Sequence, residues 1–216
     1  MNWQFVAQKL EQKVEGQVLA QVPMKNYTTW RVGGPADLLI IPRTTGDIHE
    51  ALLFAQEYGL PITVIGNGSN LLVLDGGIRG LVIKLAGGLK DAFLQGNILT
   101  AEGGITLPAL ARIALKSSLS GLEFAVGIPA TLGGGLMMNA GAFGQDIGRL
   151  IQQVETINHQ GKQRKWSKDE LSFGYRSSSL QGQNLIILRA ALRLTPALEE
   201  DIAVRMDTNR AFRSKI

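Results

Sequence analysis

The chain has 216 residues, enough to bury a sizeable core, with 45% hydrophobic and 19% charged residues, as in an ordinary globular protein. It contains no cysteine and two histidines, which excludes disulfides and thiolate metal sites and argues against a zinc centre. A net charge of +4 without a basic stripe and interleaved aromatics argues against nucleic acid as a partner, and no apolar run reaches the length of a membrane span.

The amino-terminal MNWQFVAQKLEQKVEG places Trp3, Val6, Leu10 and Val14 at helical spacing, with Gly16 as a stop. Its mixed charge and broken apolar pattern do not make a secretory leader, so a cytoplasmic location is expected. Leu38 to Ile41 reads as a strand closed by Pro42. Asp47 then caps a helix with Glu50 in the capping-box position, and Ile48, Ala51, Leu52 and Ala55 form its buried face. Gly59-Leu60-Pro61 ends it. Strands follow at Ile62 to Ile65, Leu71 to Leu74 and Leu81 to Leu85. In the second half, strands are predicted at Ala92 to Gln95 and Ile98 to Ala101, then a helix after Thr106 that buries Leu107, Leu110, Ala111, Ala114 and Leu115. Further strands are predicted at Gln153 to Asn158 and Leu185 to Leu194. Thr195-Pro196 opens a last helix, with Glu199, Glu200 and Asp201 in its first turn, where the helix dipole favours acids.

Glycine is the unusual component: 26 residues, clustered and not periodic. Such clusters mark backbone that needs positive φ or close approach to another group. In the first, Gly66, Asn67, Gly68, Ser69, Asn70 and Leu71 follow a strand directly. Bare N–H groups and the side chains of Ser69 and Asn70 suit phosphate oxygens, and a tight turn between two strands accounts for the same residues equally well. The loop is neither a Rossmann fingerprint nor a Walker A loop. The second cluster contains Gly127, Ile128, Pro129, Thr131, Gly133 and Gly134, then Asn139, Gly141 and Ala142. Thr131 could cap a short helix whose N-terminus faces an anion; close helix–sheet packing is the alternative for Gly133 to Gly135.

These two stretches, the upstream run Asn26 to Asp37 (NYTTWRVGGPAD) and the later run Phe173 to Ser179 (FGYRSSS) occur in the order seen in the UDP-N-acetylenolpyruvoylglucosamine reductase family. The chain resembles the flavin-binding part of that family over residues 26 to 194. The resemblance implies an α/β (α+β) protein with a two-lobed FAD-binding domain of the vanillyl-alcohol-oxidase (PCMH) type. Residues 1–20 would form an amino-terminal helix, 21–88 the first lobe, 89–195 the second, and 196–216 a linker helix. In the family, NADPH reduces the flavin, which passes hydride to the enolpyruvyl double bond of a UDP-sugar. The resemblance assigns Gly66 to Asn70 to the FAD diphosphate, the second cluster to the rest of the cofactor, and Arg176 to the active site. A guanidinium there stabilises charge that develops on the substrate carboxylate.

Family members continue into a substrate-binding domain carrying a catalytic serine and glutamate. This chain is therefore expected to be C-terminally shortened and inactive alone; Ser177, Ser178 and Ser179 match the run around Arg176 and not that serine motif. A non-catalytic flavin-binding protein, or an oxidase subunit of the same fold, is the alternative. Departures from the family pattern are Ala130, where glycine is common, and the brief Leu180-to-Asn184 connection.

Overall fold

The computed structural model describes residues 1–213; residues 214–216, the end of the expected linker, lie outside the described residues. The first part comprises α1 (Trp3–Glu11), β1 (Gln17–Pro23), β2 (Pro35–Ile41), α2 (Thr45–Glu57), β3 (Ile62–Ile65) and β4 (Ile78–Lys84). The second comprises β5 (Ala92–Gln95), β6 (Ile98–Glu102), α3 (Leu107–Lys116), β7 (Leu119–Ser120), α4 (Leu132–Met137), β8 (Gly141–Ala142), β9 (Gln145–Asp146), β10 (Ile151–Asn158), β11 (Gln163–Ser167), β12 (Phe173–Gly174), β13 (Ser177–Ser178), β14 (Leu185–Arg193), β15 (Thr195–Pro196) and α5 (Glu199–Arg213).

A four-stranded sheet runs β1-β2-β4-β3, with β2, β4 and β3 parallel and β1 antiparallel at the edge. One face carries Leu38, Ile40, Leu81 and Ile83, packed under Ile48, Ala51, Leu52 and Phe54 of α2. The other face carries Leu39 and Val82, covered by Met24 and Val73 from irregular chain. Because β3 and β4 are parallel neighbours, residues 66–77 must return from the carboxyl end of one strand to the start of the next. They cross the open face as loop, where the sequence predicted a strand at Leu71 to Leu74. Val73 is buried in the sheet-face cluster, while Leu72 and Leu74 point outward.

The second sheet runs β11-β10-β14-β6-β5 and is antiparallel throughout. Its core joins Leu99, Val154, Ala190 and Leu192 to α3, α4 and the inner face of α5, where Ile202 and Met206 are buried. Ile157, Ile186 and Leu188, at one end of β10 and β14, belong instead to the cluster under α2 and so join the two sheets into one body.

Several boundaries differ from the sequence reading. The cap of α2 is Thr44, whose Oγ1 accepts the Asp47 N–H at 3.1 Å while Asp47 answers to the Thr44 N–H; Asp47 is the third helical residue and not the cap. Helix α1 ends at Glu11, and Gly16 serves close approach: a Cβ there would lie 2.4 Å from the Ile41 carbonyl. Thr195-Pro196 pairs with β7, so α5 starts only at Glu199. Among the described residues no helix is long and apolar enough to cross a membrane, and no cluster of three metal-ligating side chains is present.

Candidate functional site

The first glycine loop stands at the carboxyl end of β3, the end of a parallel sheet at which α/β folds gather ligands. Gly66, Asn67, Gly68, Ser69, Asn70 and Leu71 line a cleft of about 330 Å³ together with Ile128, Pro129, Thr131, Gly134 and Arg176. The two sequence clusters therefore share one site. They touch directly: Asn67 Nδ2 donates to the Pro129 carbonyl at 3.1 Å. Among the described residues, the N–H groups of Gly66, Asn67, Gly68, Ser69 and Asn70 donate to no protein acceptor, and the side chains of Ser69 and Asn70 are similarly free.

The glycines of this loop also answer a packing demand. Gly68 has φ +68°, and a Cβ on it would sit 2.1 Å from the Tyr27 carbonyl oxygen, against which the loop is held by the Thr29 N–H to Gly68 carbonyl bond of 3.1 Å. A Cβ on Gly66 would meet Thr131 Oγ1 at 2.4 Å. The constraint thus comes from neighbouring protein, and it is what lets the loop sit against the second cluster with its amides exposed to the cleft.

The second cluster divides. Thr131 Oγ1 caps α4 by accepting the Gly134 N–H at 3.3 Å, as its sequence position suggests. The helix terminus is nevertheless no anion site: the Leu132 N–H donates to the Ile105 carbonyl and the Gly133 N–H to the Gly103 carbonyl, both at 2.8 Å. Every donor of that first turn is taken, which corrects the reading of an N-terminus facing an anion. Gly133 and Gly135 are packing glycines, with Cβ positions 3.1 Å from the Gly103 carbonyl and from Leu107 Cδ1 respectively. Gly134 alone of the three lines the cleft. Gly127 closes a 3-10 turn one residue before the cleft lining begins at Ile128.

Arg176 occupies the turn of the β12–β13 hairpin with φ +53°. Its side chain is exposed and, among the described residues, makes no ion pair. It lines both the cleft and an adjoining hollow of about 430 Å³ formed with Asn139, Gly141, Ala142, Asp146 and Tyr175. Asn139 positions that hairpin: its Nδ2 donates to the Gly174 carbonyl and its Oδ1 accepts the Gly148 N–H, both at 3.0 Å. The amide of Asn139 is thus committed to backbone, holding the Arg176 turn against the end of α4. Gly141 allows the β8–β9 turn to close, since a Cβ would lie 2.4 Å from the Gln145 carbonyl.

A third hollow, about 380 Å³, shares Val64, Gly66 and Gly134 with the cleft and is bordered by Gly133 and His159. Burial holds the His159 pKa below the ordinary histidine value, and likewise lowers that of Lys84, whose Nζ donates to the Ala86 carbonyl at 2.6 Å. Sequence reasoning missed Met138 in the cleft, and Leu85, Met137 and Ile187 in the third hollow. Their residue types are those of any apolar core, and only the path of the chain brings them to the site.

A family model described as an FAD binding domain matches residues 36–167. The UDP-N-acetylenolpyruvoylglucosamine reductase of Desulforamulus reducens is 45% identical over 186 residues, covering 86% of this chain and 61% of that protein. The protein of the same name from Bacillus subtilis is 41% identical over 209 residues, covering 96% of this chain and 69% of its own. Among solved structures, the UDP-N-acetylenolpyruvylglucosamine reductase (MurB) of Thermus caldophilus superposes with a TM-score of 0.78 at 37% identity, covering 93% of this chain and 70% of that one. The fold is the two-lobed FAD-binding fold of the vanillyl-alcohol-oxidase type. The chain spans 61% of the length of the first of these relatives.

Proposed function

Since the chain belongs to the UDP-N-acetylenolpyruvoylglucosamine reductase family, we propose that it is the FAD-binding portion of an enzyme that reduces UDP-N-acetylglucosamine enolpyruvate to UDP-N-acetylmuramate. One observation carries the reading. The N–H groups of Gly66 to Asn70, without a protein acceptor among the described residues, line the same cleft as Ile128 to Thr131, with Arg176 at the junction to the next hollow. The residues fit the group. A diphosphate needs several convergent donors and room against bare backbone, and three contiguous hollows suit an elongated dinucleotide.

In this reading the two sheets are the two lobes, residues 21–88 and 89–195, after the helix within 1–20, and residues 196–216 lead toward the substrate-binding part of the longer relatives. FAD, when bound, supplies hydride taken from NADPH and passed to the enolpyruvyl double bond. The chain's own residues bind and orient. Gly66 to Asn70, with Ser69 Oγ, hold the diphosphate. Ile128, Pro129 and Thr131 close the opposite wall, and Gly134 leaves space on the helix beneath. Arg176, always charged and without an acidic partner among the described residues, holds the substrate carboxylate and stabilises the charge that accumulates there as hydride adds. Removing such a donor costs about 3 kcal/mol of barrier stabilisation. NADPH and nucleotide sugars are cytoplasmic metabolites, so the same reading carries a cytoplasmic location.

Titration of the purified protein with FAD is the first test: flavin fluorescence is expected to quench with saturation, and failure to take up FAD overturns the reading. The second joins the chain to the remaining segment of a relative. NADPH oxidation that depends on the enolpyruvyl substrate is expected there, with negligible turnover from the 216-residue chain alone.

A further inference from the structure

We infer that Gln181 is a positioning residue for Arg176: its side-chain amide straps the Arg176 turn to the end of α4 and so fixes where the guanidinium stands. The inference rests on the proposed function in one respect, that Arg176 meets the substrate carboxylate. Two residues, Tyr175 and Arg176, join β12 to β13 across the Gly174–Ser177 pair. Arg176 takes φ +53°, a left-handed backbone that a residue with a long side chain keeps only when its surroundings impose it. Released, the turn would relax towards negative φ and swing the guanidinium away from the junction of the cleft and its neighbouring hollow.

The constraint comes from one short stretch of chain, residues 137–139, where α4 ends. The Met137 carbonyl, at the last position of the helix, accepts Gln181 Nε2 at 2.7 Å and Ser178 Oγ at 2.9 Å. Before the turn, Asn139 Nδ2 holds the Gly174 carbonyl at 3.0 Å. After it, Gln181 Nε2 also donates to the Arg176 carbonyl at 3.3 Å and lies the same distance from Met138 Sδ. An amide NH₂ carries two hydrogens, so one nitrogen can tie the helix carbonyl to the arginine carbonyl. Gln181 is not one of the residues that line the cleft or the Arg176 hollow, so it acts on a ligand through the turn it holds. It is also exposed, whereas Asn139 and Ser178 are buried, and its replacement leaves the packing beneath the hairpin intact.

Trypsin cuts after arginine, so cleavage of the Arg176–Ser177 bond in the folded 216-residue chain reports how firmly the turn is held. Gln181→Ala is expected to raise that rate about fivefold, the loss of one hydrogen bond, without moving the urea midpoint. Gln181→Glu, of the same shape but without the N–H donors, is expected to do the same. Rates unchanged in both variants overturn the strap. In the chain joined to the remaining segment of a relative, Gln181→Ala is expected to lower kcat for the enolpyruvyl substrate by about 5- to 10-fold. FAD affinity and the reduction of the flavin by NADPH should stay as in wild type, and the loss should vanish once Arg176 is replaced by alanine. A loss that persists in the Arg176→Ala background, or a weakened hold on FAD through Met138, gives Gln181 a different role and overturns the proposal. A joined wild type that oxidises no NADPH in response to the substrate overturns the proposed function and the purpose of the strap with it, and the trypsin rates tell that failure from failure of the strap alone.

Discussion

Two glycine-rich segments meet at the cleft, and they use glycine for opposite ends. In Gly66 to Asn70 the backbone is pressed against Tyr27 and Thr131, and its N–H groups have no protein acceptor among the described residues. In Leu132 to Gly135 the backbone is pressed against Gly103 and Leu107, and the N–H groups of the first turn are taken by Gly103, Ile105 and Thr131. Density of glycine therefore does not mark a ligand site. What marks it is the balance of donors: a segment that packs by one side and keeps its amides for something else.

The sharpest way to break that contrast is Gly68→Val. A side chain at φ +68°, with its Cβ 2.1 Å from the Tyr27 carbonyl, must displace backbone. We expect a loss of about 3 kcal/mol or more in stability, visible as a lowered urea midpoint. Lost flavin uptake in this variant would then reflect the fold and not a blocked ligand. A fold of unchanged stability that fails to bind FAD would return Gly68 to direct contact with the cofactor.

The second segment is anchored by charge as well as by glycine. Glu123, just ahead of it, is buried and accepts from Ser120 Oγ at 2.8 Å, the Gly121 N–H at 2.7 Å and Arg205 of α5 at 2.9 Å. Burial alone would raise its carboxyl, but a hydrogen bond from its own backbone N–H and those from Ser120, Gly121 and Arg205 together hold it below the usual range. Glu123→Gln is expected to cost about 2 kcal/mol near neutral pH, by weakening charge-assisted bonds that fasten α5. The sign follows from the lowered pKa. The carboxylate's contribution is present above the unfolded value of about 4.3 and disappears as pH falls through the folded one. Urea midpoints of wild type and variant should therefore converge on acidification; a gap that widens would contradict the assignment.

How much of this was legible in the sequence depends on where each residue's constraint comes from. The face Ile48, Ala51, Leu52 and Ala55 was readable because helical periodicity and burial coincide there. The two strands of the four- and five-stranded sheets that went unread, Gln17–Pro23 and Gln163–Ser167, both lie at sheet edges, where one face or most of the strand is wet and the apolar signal fades. Leu71 to Leu74 misled for the converse reason: an apolar run was filling a sheet face as loop. At the site, Gly66 to Leu71 and Ile128 to Thr131 were visible as residue types after a strand and before a cap. The fate of the α4 amides was not, because their acceptors Gly103 and Ile105 come from a distant stretch of chain. The significance of Arg176 rested on family resemblance; its structural contribution is to show an exposed guanidinium at the junction of two hollows.

The finest test separates neighbours within one helical turn. Gly133→Ala places a Cβ 3.1 Å from the Gly103 carbonyl, a contact that must yield by a few tenths of an ångström, and we expect a loss of about 1 kcal/mol, read from the urea midpoint. Gly134→Ala meets only Thr131 Oγ1 at 3.5 Å, an ordinary contact, and should gain about 0.5 kcal/mol from helix propensity. Yet Gly134 borders both the cleft of Gly66 to Asn70 and the His159 hollow. Its methyl group should therefore weaken FAD on the order of tenfold while the fold grows firmer, a cost comparable to overpacking one methyl group. Stability and affinity moving in opposite directions at residue 134 would show that the glycine there is kept for the ligand. If both rise together, α4 is a packing element along its whole length, and the wall of the cleft belongs to Ile128, Pro129 and Thr131 alone.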